Sequence, residues 1–241
     1  MLLLPEVVDL LRGEGLRNGE TIDADFLGGR GGRHFAAEVA RLYDTAAMLA
    51  TLRRHLSNGM SAGQISRSLA FFDTETGRRI LRLEVSAREA MREPSVEEAA
   101  GAAFAAAQAR GDLRAQAVEE FIAANDLDDR NVAGALTSNY RFFRGLTEGG
   151  GNRMSDGEIL DQVWSQADSL RDETSSWLRA YMFMAYQPLD TEEMAAYLAY
   201  SRSPEGQALN AALFAAFDEM YSAIYYGLGL AVAQAMGASD L

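Results

Sequence analysis

The stretch from Ser203 to Met236 limits what this chain can fold into more than any other. It opens Ser203-Pro204-Glu205-Gly206 and continues through Leu213, Phe214, Phe217, Met220, Ile224, Tyr225, Leu228 and Val232. Serine is a strong helix N-cap. Proline fits the first helical position, where its missing N–H would have no intrahelical partner. Glu205 falls in the first turn, where the helix dipole favours negative charge. The stretch reads as one helix of roughly 50 Å. After Glu205 its only charges are Asp218 and Glu219. A helix apolar around most of its circumference is expected to be buried on all sides, so other helices should pack around it.

The rest of the chain keeps the same period. Phe35, Val39, Leu42, Ala46, Leu49, Leu52 and Leu56 predict one helix from His34 to Ser57. Ser61 with Gln64, Ser95 with Glu98, Ser155 with Glu158 and Asp190 with Glu193 have the capping-box pattern that starts a helix. Glu6 to Arg12 predicts a short helix closed by Gly13 and Gly15. The helix after Ser155 runs to Pro188, with a break near Asp172. Gly28 to Arg33 predicts a flexible connector, because no strand precedes it and its spacing fits neither GxGxxG nor a P-loop. Glu148-Gly149-Gly150-Gly151-Asn152 is the clearest linker. No segment alternates with period two for long enough to be a strand. The expected fold is all-α: a helical bundle of about eight to ten helices in a single domain over residues 1–241.

Composition removes several chemistries. There is no cysteine, which excludes disulfides, zinc–thiolate sites and thiol nucleophiles. All 22 basic residues are arginine, which excludes Schiff-base chemistry and a Walker-type lysine. A net charge of −13 argues against nucleic acid as a partner. Met220 to Met236 is uncharged, but it is only about as long as the lower limit for a bilayer crossing and has no basic flank, so no membrane span is expected. Glu6 and Asp9 interrupt the apolar run at Met1-Leu2-Leu3-Leu4, which is therefore not a signal sequence. Either the protein is cytosolic, or the sequence begins after a removed signal, with Met1 added.

An internal repeat is expected at the offset that separates Gly77 from Gly206. At that offset Ser61 meets Asp190, Gln64 meets Glu193, Leu69 meets Leu198, Phe71 meets Tyr200 and Met91 meets Met220. In both copies an aromatic residue ends one helix, Ser or Thr caps the next, and glycine sits in its first turn. Glycine there costs roughly 1 kcal/mol of helix propensity, which points to close approach of the two helices of a hairpin. The pseudo-repeat spans 34–92 and 163–236, with a helical insertion at 95–150.

Pro188-Leu189-Asp190, Tyr197-Leu198-Ala199-Tyr200 and Ser203-Pro204-Glu205-Gly206 together resemble the helical repeat of the bacterial family called domain of unknown function 2059. The match is best over residues 176–236 and weaker over 36–92, where Thr74-Glu75-Thr76-Gly77 lacks the proline. The resemblance implies an exported, all-helical protein of the Gram-negative envelope, hence a periplasmic location with its signal peptide removed. It brings no catalytic residues.

Few residues offer chemistry. His34 and His55 lie near opposite ends of one expected helix, roughly 30 Å apart, so neither a metal site nor a cofactor is expected. The Asp126–Asn131 cluster does not fit a calcium loop, because Arg130 falls at a ligand position and Asn131 where glycine is needed. Glu97-Glu98, Glu119-Glu120 and Glu192-Glu193 sit where solvated faces or helix starts explain them. Arg78, Arg79 and Arg82 share one turn of a helix and are candidates for docking an anionic group, or for ion pairs within the chain. Tyr181, Tyr186, Tyr197, Tyr200, Tyr221, Tyr225 and Tyr226 are candidates for a ligand or partner surface, or for core packing. The expected function is a non-enzymatic envelope protein that binds a partner protein or a small apolar ligand through aromatic-rich hairpins. The alternatives are a hydrolase using a carboxylate pair, or a structural dimerisation module acting as a homodimer.

Overall fold

The computed structural model describes residues 2–239, and Met1 lies outside them. The chain is all-α. Its helices are α1 (Leu4–Ile22), α2 (Gly32–Leu42), α3 (Thr45–Gly59), α4 (Ala62–Phe72), α5 (Glu75–Ala90), α6 (Pro94–Ala109), α7 (Leu113–Ala124), α8 (Leu127–Glu148), α9 (Asp156–Ser165), α10 (Ala167–Tyr186), α11 (Thr191–Arg202) and α12 (Pro204–Ser239). A π-helical turn, Asp23–Leu27, follows α1. No strand occurs among the described residues, and no helix is long and apolar enough to cross a membrane.

The residues group into two compact units. The first contains the N-terminal residues to Leu4, Arg54–Val132 and Ser169–Phe214; the second contains Pro5–Arg53, Ala133–Asp168 and the chain from Ala215.

In the first unit the hairpin α4–α5 and the hairpin formed by α11 and the start of α12 repeat each other bond for bond. Ser61 and Gln64 form a reciprocal capping box on α4, as Asp190 and Glu193 do on α11. The Thr74 hydroxyl donates to the Phe71 carbonyl at 2.7 Å and accepts the Gly77 N–H at 3.0 Å. The Ser203 hydroxyl does the same with the Tyr200 carbonyl at 2.6 Å and the Gly206 N–H at 3.1 Å. The Phe71 and Tyr200 rings, which correspond in the repeat, stack on each other with centroids 4.3 Å apart. Contacts between the hairpins are also exchanged. The Gln64 amide donates to the Pro204 carbonyl at 3.4 Å, and Arg79 donates to Glu193 at 2.7 and 2.9 Å. Around this pairing lie Ile80, Val118, Phe121, Leu178, Tyr186 and Leu189, all buried.

In the second unit glycines bring helices together. A Cβ on Gly145 of α8 would lie 2.2 Å from the Tyr226 carbonyl oxygen, and one on Gly229 of α12 would lie 2.1 Å from the Phe142 carbonyl oxygen. The two backbones therefore meet where side chains are missing from both. Gly15 of α1 lies under the Tyr43 ring, and Gly19 lies under Val39. The contacts at Gly15 and Gly19 explain why α1 continues past Gly15 instead of ending there: packing outweighs about 1 kcal/mol of propensity per glycine.

Several boundaries differ from the sequence reading. The expected helix over 34–57 breaks at Tyr43-Asp44, where Asp44 accepts the Ala47 N–H at 2.8 Å and caps α3. The break expected near Asp172 falls at Gln166. The Ser95 box is pre-empted by Pro94, which occupies the first position of α6. Gly28 to Arg33 is not a flexible connector. The Gly31 N–H donates to the Asp23 carboxylate at 2.7 Å, the Gly29 N–H donates to the Asp23 carbonyl at 3.1 Å, and Gly28 adopts φ 61. Nor is Gly149–Gly151 a loose linker. Gly149 and Gly151 lie against Ala233, and the Gly151 N–H donates to the Leu146 carbonyl at 2.8 Å, ending α8.

Helix α12 is not covered on all sides. Gln207, Ala211, Ala215, Asp218, Glu219 and Ala223 form an exposed stripe along it. The apolar residues on this stripe are all alanine, which tolerates solvent at little cost.

Candidate functional site

The first unit holds a carboxylate whose partners are tyrosine hydroxyls. Glu84 sits on α5 within the apolar stripe formed by Ile80, Ala87 and Met91. The Tyr186 hydroxyl donates to its Oε1 at 2.8 Å, and the Tyr197 hydroxyl donates to the same oxygen at 2.8 Å. The Tyr181 hydroxyl donates to the Glu84 backbone carbonyl at 3.1 Å. The rings close around this point: Phe121 lies 4.8 Å from Tyr197 and 5.6 Å from Tyr186. Burial pushes the Glu84 carboxyl above the usual range, and the two hydroxyls offset this only in part. No other carboxylate contributes to the shift. Burial and the adjacent Glu84 charge in turn raise both tyrosines well above the ordinary phenol value.

This geometry corrects the tyrosine surface. Tyr186, Tyr197 and Tyr200 are 0 %, 8 % and 9 % exposed, so they are core residues and cannot meet a partner. Their polar tips are used inside: Tyr200 donates to Ser68 at 2.9 Å. In the second unit, Tyr221 and Tyr225 are half-buried and face Tyr43, whose own hydroxyl is raised by burial first and then by these two neighbours. Tyr226 donates to Glu148. The arginine candidates divide in a similar way. Arg78 pairs with Asp73, and Arg79 binds Glu193 and the Pro188 carbonyl. Arg82 is exposed. An anion would have to displace the chain's own acids from two of these three residues.

Other acidic candidates are tied down within the first unit. Arg179 forks between Glu119 and Asp128, Arg202 pairs with Glu120, and Arg171 pairs with Asp129. No cluster of three or more His, Asp or Glu among the described residues could hold a metal ion.

One surface of this unit is open and shaped. A groove of about 840 Å³ runs between the start of α6 and α10. Its lining includes Leu170, Trp177, Ala180 and Gly101 together with Glu97, Glu98, Asp172 and Glu173. No basic residue is among the described residues that line it. Trp177 is held in place by its neighbours. The Tyr181 ring stacks on it with centroids 5.0 Å apart, and the Arg88 guanidinium lies 5.6 Å from its centroid. Arg88 is one helical turn from Glu84, so α5 braces α10 through Glu84–Tyr181 and Arg88–Trp177 together.

The sequence missed both features. Glu84 leaves a signal, a charge in register with Ile80, Ala87 and Met91. The groove leaves none, because its sides are some 70 residues apart in sequence (Gly101 and Leu170).

No protein-family model, no curated protein and no solved structure matches this chain.

Proposed function

We propose that this is a non-enzymatic binding protein whose groove between α6 and α10 receives a cationic segment of a protein partner. The observation that carries this reading is the lining of the groove. It combines apolar residues and a braced tryptophan with four carboxylates, and no basic residue is among the described residues that line it. Tryptophan is among the residues that dominate interface energetics, and an acidic lining favours and steers a basic partner. Arg88 over Trp177 shows how a guanidinium lies on this ring. The periplasm is the compartment proposed, and it rests on the resemblance to the exported helical family. The tyrosine-rich hairpins support the groove from behind through Tyr181 rather than forming the contact themselves. A hydrolase working through a carboxylate pair gains no support, because Glu84 has tyrosines, not a second carboxylate, around it.

The chain has two tryptophans, so Trp164→Phe leaves Trp177 as the sole reporter. Titrating this variant with tetra-arginine peptide is expected to change its emission saturably, and added salt should weaken binding. Glu97→Gln, Glu98→Gln, Asp172→Asn and Glu173→Gln combined should weaken it by roughly tenfold or more, the equivalent of about 1.4 kcal/mol. An emission that stays constant up to millimolar peptide at low salt would remove the groove as a cationic site.

A further inference from the structure

We propose that the face made by the start of α7 and the outer side of α11 is a contact between two copies of this chain. It is independent of the groove between α6 and α10. Leu113, the first residue of α7, is 76 % exposed, more than any other large apolar side chain among the described residues. It stands beside a half-enclosed hollow of about 360 Å³ whose apolar lining includes Ala117, Met194, Ala195 and Leu198. Leu113 is itself part of that lining, yet it remains largely in water. A protruding leucine and an apolar hollow on one patch are self-complementary. A two-fold axis next to Leu113 places each copy's leucine in the other's hollow, as an isologous interface requires.

The charges at the edge obey the same operation. Asp112, Arg114 and Asp190 border the hollow. Asp112 caps α7 through the Arg114 N–H at 2.8 Å, and Asp190 caps α11, so both carboxylates are fixed in place. The two-fold axis brings Arg114 of each copy towards these carboxylates of the other. An anionic ligand would meet two aspartates against one arginine. A small apolar ligand would fill the hollow and touch Leu113 but leave the mixed charge at its edge without a partner. A second copy accounts for both the leucine and the mixed charge. The net charge of −13 opposes self-association, so the dimer should be weak and concentration-dependent.

Light scattering or sedimentation of the full chain over a wide concentration range is expected to show a monomer passing to a dimer. Leu113→Asp leaves a residue that suits a helix N-terminus and should weaken the dimer by roughly tenfold or more. Ala195→Arg, at an exposed position, should do the same without touching the core. Because the chain has no cysteine, Leu113→Cys and Ala195→Cys each carry a unique thiol. A mixture of the two should be joined by a short bismaleimide into a covalent pair. A monomeric mass at every concentration would overturn the proposal, as would a dimer that persists in both Leu113→Asp and Ala195→Arg. A monomer with an apolar molecule retained in native mass spectrometry would also overturn it and assign the hollow to that ligand.

Discussion

Gly206→Ala is expected to destabilise the protein by about 2 kcal/mol or more, whereas Gly63→Ala should be neutral or slightly stabilising. Both glycines lie in the first turn of a helix, and alanine improves helix propensity by up to about 1 kcal/mol at either. Their surroundings decide the sign. A Cβ at Gly63 meets only the tip of the Arg67 side chain at 3.4 Å, which can swing away. A Cβ at Gly206 would lie 2.1 Å from the Tyr200 carbonyl oxygen and 3.0 Å from the Ser201 Cα, both main-chain atoms. No rotamer change relieves that clash. The turn cannot open to make room either, because the Ser203 hydroxyl ties the Tyr200 carbonyl to the Gly206 N–H. Gly77 repeats the situation, 2.3 Å from the Phe71 carbonyl oxygen, and Gly77→Ala should cost a similar amount. Urea melts of the parent and the three variants test this. A Gly206→Ala midpoint equal to that of the parent would mean that the hairpin is not held as closely as these contacts require.

Those glycines show what the sequence can reveal about this fold. Ser203-Pro204-Glu205-Gly206 and Thr74-Glu75-Thr76-Gly77 mark helix starts because capping chemistry is local: the hydroxyl reaches an amide three residues away. Glycine in the first turn has no local reason, so it points to a close neighbour, and the sequence already suggests the other helix of the hairpin. Burial is less legible. Ala211, Ala215 and Ala223 count as apolar in any tally yet lie in water along α12. Gly13, Gly15 and Gly149 resemble helix stops or linkers until the Tyr43 ring and Ala233 are seen against Gly15 and Gly149. Asp44 caps α3 from within a continuous apolar pattern, and periodicity alone cannot register that interruption.

The candidate sites are harder to read for a geometric reason. A tyrosine in sequence has no direction. Tyr186 and Tyr197 turn inward because Glu84 offers their hydroxyls an acceptor on the far side of the core, and that acceptor lies more than 100 residues earlier in the chain. Tyr181 is on the same helix as Tyr186 but reaches the Glu84 backbone and Trp177 instead. The groove and the hollow beside Leu113 both join helices distant in sequence, so no spacing rule encodes either. What the sequence did carry was the electrostatic bias. An acidic, lysine-free chain that uses its arginines in ion pairs has carboxylates left over to line a groove such as that between α6 and α10.

Glu84→Ala is expected to cost about 3 kcal/mol, because it leaves the Tyr186 and Tyr197 hydroxyls inside the first unit without an acceptor, at about 1–3 kcal/mol each, and opens a small void. Glu84→Gln should behave differently. Its amide oxygen still accepts both hydroxyls, and the buried charge is gone. The comparison should depend on pH in a defined direction. Burial raises the folded-state carboxyl above its ordinary value, so the folded protein holds this proton more tightly than the unfolded chain does. Glu84 therefore contributes most favourably below the unfolded carboxylate value of about 4.3, and that contribution is lost as pH rises through the folded value. Asp128, Glu148 and Glu158 oppose this trend: burial raises the Asp128 carboxyl but hydrogen bonds from Arg179 and Ser175 and the arginine charge outweigh it, and hydrogen bonds hold Glu148 and Glu158 below the usual range. The contribution of Glu84 is thus visible only in the difference between parent and Glu84→Gln. Relative to the parent, Glu84→Gln should gain stability as pH rises from acid to neutral, while Glu84→Ala stays destabilised at neutral pH. Denaturant melts from pH 4 to pH 8 would measure it. A parent-to-Gln difference that stays flat with pH would show that Glu84 does not lie where these tyrosines place it.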